Sequence, residues 1–193
     1  GQSQIIGDAL LPKQGIRVGN IGGNSFHGSL AVQGKQGLST SKWPQMESAN
    51  RNALDQLLST EISNTQNDIV GLNQQEITNS FLDPTLFVDK DIADLSGKKL
   101  SGNIVIRSSH EIYVDASTQL TDVILVAPKI RIGNGVRGIF QAVASKEIQV
   151  GKHCHLKYPS AVVVLQKKNQ LPNSNTYGTQ PQINLLANSI VEG

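Results

Sequence analysis

Three segments decide the fold: HEIYVDASTQL (110–120), PKIRIGNGVRG (128–138) and KEIQVGKHCHL (146–156). They superimpose at a constant offset of 18 residues (130 − 112 = 18; 148 − 130 = 18). Ile112, Ile130 and Ile148 fall in one column, and Val114, Ile132 and Val150 in a second. Asp115, Gly133 and Gly151 follow where the chain must turn. A fixed period with aliphatic columns is the signature of a solenoid, in which each repeat buries its apolar face only by stacking on its neighbours.

A finer period lies inside the coarse one. The apolar or small pairs Ile112/Val114, Thr118/Leu120, Ile124/Val126, Ile130/Ile132, Val136/Gly138, Ala142/Ala144, Ile148/Val150, Cys154/Leu156 and Ser160/Val162 recur every 6 residues. The i, i+2 spacing puts both members of a pair on one face of a strand. Three pairs complete one coil, which predicts a triangular β-solenoid over 81–193. After Leu165 the rhythm breaks and resumes at Ile183 and Leu185. The polar run between them reads as an inserted surface loop.

The N-terminal part differs. Residues 1–43 are Gly-rich with short apolar pieces, read as β strands joined by turns. Residues 44–62 carry Met46, Ala49, Ala53, Leu54, Leu57, Leu58 and Ile62 at helical spacing, with Pro44 suited to a first turn. Residues 63–80 are polar and read as a linker. The fold class expected is all-β: a right-handed parallel β-helix with one N-terminal helix, the left-handed form being the alternative.

One face of the triangle is predicted to be apolar on both sides, with Leu125, Val143, Ala161 and Val163 pointing outward. Strands of that kind are normally covered on both faces. The helix is the expected cover, and a second subunit the alternative; this is the interaction wall the sequence offers.

Composition narrows the function classes. Of 193 residues, 38% are hydrophobic, 17% charged and 4% aromatic, so the core must be aliphatic. The net charge of +2 is spread without a basic cluster, which argues against a nucleic-acid partner. A single cysteine excludes an internal disulfide. The chain opens on Gly1 without Met and closes in a strand-like pattern, so the natural protein is expected to extend beyond Gly193. A signal or membrane anchor upstream of Gln2 is allowed for, and any membrane contact would run through such a segment.

His153, Cys154 and His155 are residue types that bind metals. Strand alternation points both histidines outward and the cysteine inward, so His153 and His155 are weak metal candidates and no cofactor is expected. Glu111 and Glu147 sit two coils apart with Lys129 between them. Glycoside hydrolysis needs two carboxylates facing across one bond, and this spacing reads instead as a ladder of surface charge. No catalytic residue is assigned.

The hexads resemble those of left-handed hexapeptide acyltransferases, which prefer a small residue where this chain has Ile112, Ile124, Ile130 and Ile148. That departure favours the right-handed form. The coil length resembles the polymer-forming bactofilins, and the overall pattern the pectin-lyase-like solenoids. The stretch GIFQAVASKEIQVGKHCHLKYPSAVVVL (138–165) is similar to exported bacterial proteins of uncharacterised role. These resemblances imply a cell-envelope location and self-association or an envelope protein partner. They also leave two alternatives: a polysaccharide-binding or carbohydrate-active β-helix, and an acyltransferase.

Overall fold

The computed structural model describes residues 5–17, 19–21, 23–25, 27, 31–40, 45–59, 72–165 and 181–193. They fall into two units, Gly1–Glu47 and Ser48–Gly193.

The first unit is built from short strands. β1 (Ile5–Ile6) pairs in parallel with β5 (Val32–Gln33), and β2 (Ala9–Leu11) with β6 (Gln36–Leu38). β3 (Asn20–Ile21) and β4 (Asn24–Ser25) form an antiparallel hairpin between them. Every parallel partner is 27 residues away (32 − 5 = 27; 38 − 11 = 27). The unit is therefore two stacked rungs, each bent at a corner. Gly7 turns the first corner at φ 122°, a conformation open to glycine and poorly open to other residues. Gly34 sits so close to the Gly7 carbonyl that a Cβ there has no room. Lys35 N–H donates to Asp8 Oδ1 at 2.9 Å, tying the two corners together.

The second unit opens with helix α1 (Ser48–Ser59), shorter than the predicted 44–62. Pro44 and Ile62 lie outside the described residues. Leu54, Leu57 and Leu58 are half-buried, whereas Met46, Ala49 and Ala53 are exposed. The apolar stripe is thus narrower than its spacing suggested.

The solenoid follows. β7 (Glu76–Asn79) and β8 (Leu86–Asp94) make the first coil. β9 (Lys99–Val114), β10 (Gln119–Ile132) and β11 (Arg137–Val150) each run round all three faces. The fifth is assembled from β12 (His155–Leu156), β13 (Ala161–Val164) and β14 (Gln182–Leu185), and β15 (Ile190–Val191) starts a further rung. All these strands pair in parallel, giving a β-solenoid of about five turns of about 19 residues. Glu76–Asn79, read from sequence as linker, is already the first rung, in register with Lys99–Gly102.

The core is a set of aliphatic columns. Ile112, Val114, Ile130, Ile148 and Val150 are fully buried on one face, and Leu100, Leu120 and Leu156 nearly so on another. Gly138 occupies the leucine column in the fourth coil. Its missing side chain makes room for Phe140, whose ring atoms would lie 3.1–3.3 Å from a Cβ at that position. Phe140 is 1% exposed, so the glycine and the aromatic share one volume.

The predicted pair Ile124/Val126 faces outward, and Val123, Leu125 and Ala127 take the inner columns. The cause is local. Asp122 adopts φ 59° and forms a bulge between Thr121 and Val123. One residue is added at that corner and one is lost at the next, between Ala127 and Lys129. The offset from Leu120 to Gly138 is 18, from Val123 to Phe140 it is 17, and from Lys129 to Glu147 it is again 18. The overall period survives while the face in between slips by one residue, which exchanges its two sides.

Candidate functional site

The three outer faces differ in what their side chains can do. On the face of the isoleucine columns, Glu111, Lys129, Glu147 and Gln182 stand in register. Arg131 donates from Nε and Nη2 to the two carboxylate oxygens of Glu111, and this pairing holds the Glu111 carboxyl below its ordinary range. Glu147 accepts from Gln182 Nε2 at 3.2 Å and Asn184 Nδ2 at 3.3 Å. The acids are therefore engaged along the ladder, with Lys129 standing between them. They do not face each other across a cleft as a glycosidase pair must.

At the edge of this face Asp91, Ser109 and His110 meet. Asp91 Oδ1 lies 2.7 Å from His110 Nδ1, and Ser109 Oγ lies 3.0 Å from the same nitrogen. These are the residue types of a nucleophilic triad. A triad needs serine on one ring nitrogen and carboxylate on the other, so that the ring can relay a proton. Here both partners share Nδ1, and the ion pair is about 70% exposed. The bonds from Ser109, then His110, lower the Asp91 pKa. The arrangement is a hydrogen-bonded corner without relay geometry.

The second face carries the predicted wall. Val143 is 2% exposed and in register with Val126 and Val163, while Ala161 is in register with Gln141. Leu125 belongs to the core instead, at 0% exposure, because of the Asp122 bulge. Ile124 and Val126 take the outward places in its coil. Helix α1 lies against β10 and β11. At the lower end of the wall the apolar column gives way to Arg107 and Asp89. They form a two-bond ion pair at 2.6 Å, with the guanidinium 4.9 Å from the Phe87 ring centroid. Their side chains are only 9% and 15% exposed.

The third face bears Glu76, Lys99, Gln119, Arg137 and His155 in successive rungs. Two shallow depressions meet at Gln119. One is lined by Gln75, Lys98, Lys99 and Ser117 among others, the second by Thr121, Arg137, Gly138 and Lys157. Lys99 pairs with Glu76 at 2.8 Å, and His155 Nε2 contacts Glu192 Oε1 at 2.8 Å. The His155 contact, more than any other, lowers the Glu192 pKa.

The His-Cys-His triplet is split by the fold. His153 lies in the turn ahead of β12 at φ 59°, the left-handed position that Gly135 fills one coil earlier. Cys154 points inward, 1% exposed, its thiol 3.0 Å from the Gly133 carbonyl. Only His155 stands outward on a strand. Among the described residues no group of three His, Cys, Asp or Glu side chains converges on one point.

Sequence reasoning missed two of these constellations although the signal was present. Asp89 and Arg107 are one period apart (107 − 89 = 18), and so are Asp91 and Ser109 (109 − 91 = 18). No family model, curated protein or solved structure matches this chain. No helix among the described residues is long and apolar enough to cross a membrane.

Proposed function

We propose that this chain is a non-catalytic structural module that assembles through the apolar columns left exposed at its last described coil. The observation that carries this reading is the exposure of Ile183, Leu185 and Ile190 in the coil of β14 and β15. Ile183 and Leu185 continue the columns of Ile148 and Val150, which are fully buried one rung below. At the last rung they are 42% and 53% exposed, as is Ile190 at 53%. β14 and β15 pair on one side only among the described residues. A row of unpaired backbone groups over exposed apolar side chains is a template for another strand. The outer acids support the same reading, since they are held in structural pairs. The right-handed, bactofilin-like form and a place in the bacterial cell envelope are the finer parts of this proposal.

The test is solution mass. Sedimentation velocity over a hundredfold range of concentration should show association. Ile183→Lys/Leu185→Lys should reduce it to monomer. A wild-type chain that stays monomeric throughout overturns the reading.

One observation favours a second reading, a surface for acidic polysaccharide. Lys98, Arg137 and Lys157 line the track of depressions, and the Lys157 charge also reaches the Glu192 carboxyl. Salt-sensitive retention on a polyuronate column, lost in Arg137→Gln/Lys157→Gln, would favour it. Passage of the wild type unretained would remove it.

A further inference from the structure

Asn134 and Gly135 form the only Asn-Gly step in the chain. They sit at the corner between β10 and β11, Asn134 exposed and Gly135 in the left-handed region at φ 74°. Both are tied to one residue of the next coil. Lys152 N–H donates to Asn134 Oδ1 at 2.8 Å, and Gly135 N–H donates to the Lys152 carbonyl at 2.8 Å. The same corner in other coils is held in a similar way. Gly97 N–H donates to Ser117 Oγ, and His153 N–H to the Ala187 carbonyl. At Asn134 a side-chain amide joins this ladder, directly before the glycine whose nitrogen can attack it.

We propose that Asn134 is a site of spontaneous covalent modification, converted through Gly135 to aspartate and isoaspartate whenever the corner of the next coil lifts away. An asparagine followed by glycine is chemically primed, because no side chain on the glycine obstructs its nitrogen or restricts its backbone.

In the reaction Gly135 N bonds to Asn134 Cγ, and the Cγ–Nδ2 bond breaks. The Gly135 amide proton leaves with the Nδ2 group as ammonia, and a cyclic imide remains. Water then opens the imide, and nothing is oxidised or reduced. Breaking the new Cγ–N bond gives aspartate, and breaking the original peptide bond gives isoaspartate. In the stacked corner neither reacting group is free, because Lys152 holds the nucleophile by its proton and the amide by its oxygen. Gly151 N–H to the Ile132 carbonyl at 2.7 Å and His155 N–H to the Val136 carbonyl at 2.9 Å close the coil on either side. Opening is therefore a local event that parts one coil corner from its neighbour. Aspartate keeps the acceptor that Lys152 N–H uses. Isoaspartate lengthens the main chain by one atom where there is no space for it: a Cβ on Gly151 would lie 2.6 Å from Asn134 N. The isoaspartate corner is released and does not reclose.

The test follows the Asn134 peptide by mass spectrometry after incubating the full chain at neutral pH. Cleavage by an aspartate-specific protease separates aspartate from isoaspartate. The native rate should be about tenfold or more below that of the urea-unfolded chain, because the open corner is a minor local state. Leu156→Ala empties a fully buried site in the next coil. It should raise the native rate about tenfold or more and leave the unfolded rate unchanged. If that variant does not fold, the wild type in urea below its unfolding transition replaces it, and its rate should climb with urea. Equal rates in the native and unfolded chains, or a native rate unmoved by loosening the coil, overturn the gating. An Asn134 that keeps its amide in the unfolded chain overturns the site itself. As a second measurement, the purified isoaspartate form should unfold at lower urea than the wild type, whereas Asn134→Asp should unfold close to it. A wild-type midpoint for the isoaspartate form overturns the release of the corner.

Discussion

Replacing Leu125 by alanine, and Ile124 by alanine in a separate variant, tests the slipped face directly. A uniform hexad would put Ile124 inside and Leu125 outside. The Asp122 bulge reverses them: Leu125 is 0% exposed within the core columns, and Ile124 is half-buried on the outer wall. Truncating a fully buried leucine costs about 2–5 kcal/mol through lost transfer energy and the cavity left behind. Complete burial of such a side chain is worth about 1.5–3 kcal/mol, so a half-buried isoleucine is worth roughly 1 kcal/mol. The unit spans residues 48–193 (193 − 48 + 1 = 146). At that size each kcal/mol moves the midpoint by about 2–4 °C, which predicts a fall of about 4–20 °C for Leu125→Ala against about 2–4 °C for Ile124→Ala. Thermal unfolding followed by circular dichroism measures the difference. Amide exchange along β10 localises it, since solenoid coils are coupled chiefly to their neighbours. A larger loss for Ile124→Ala than for Leu125→Ala would refute the slip and restore the uniform hexad.

Three further outcomes follow from named contacts. Gly151→Ala places a Cβ 2.6 Å from Asn134 N and Gly133 C of the coil below, so it should cost about 1–3 kcal/mol by overpacking; denaturant midpoints equal to wild type would contradict the stacking. Asp89→Asn strands the nearly buried Arg107 charge and should cost about 3 kcal/mol, whereas Glu111→Gln breaks an exposed pair worth about 0.2–1 kcal/mol; equal losses on denaturation would count against the burial difference. Asp91, Glu111, Asp115 and Glu192 all have lowered folded-state pKa values. Their contribution is therefore complete above the ordinary carboxylate range and is lost as pH falls through the lowered values. Urea midpoints should drop on acidification, less steeply in a Glu111→Gln/Asp115→Asn variant, and an identical acid slope would rule that origin out.

The solenoid was legible because its signal is repetition, and columns such as Ile112–Ile130–Ile148 need only register to be seen. The slip at Asp122 was hidden by the same repetition. A residue added at one corner and removed at the next leaves every count from β10 to β11 at 17 or 18. The N-terminal rungs escaped notice because their offset of 27 connects only two to three residues per strand, too few to form a column. Asp89–Arg107 and Asp91–Ser109 were within reach, since both obey the period. What the period does not encode is which cation turns toward which acid, or that Asp91 and Ser109 would share one nitrogen of His110. Helix α1 was visible as a helix, but its spacing did not show that, of its described apolar residues, Leu54, Leu57 and Leu58 would be half-buried and Ala49 and Ala53 exposed.

One corner of the solenoid sets no length. Between the columns of Val143 and Glu147 the chain spends 4 residues (147 − 143), and between those of Val126 and Lys129 it spends 3. In the next coil the same corner takes 19, from Val163 to Gln182, and β14 still falls into register with β11. Closing a loop grows costlier only slowly with its length, by about 0.6 kcal/mol for each doubling. The corner thus separates two tasks that most folds combine. The ladder carries the stability, and its register holds whether the corner takes 3, 4 or 19 residues. A foreign peptide grafted at this corner would be displayed at a fixed height on the ladder, and each added coil would offer the same mounting point one strand spacing, about 4.8 Å, further along.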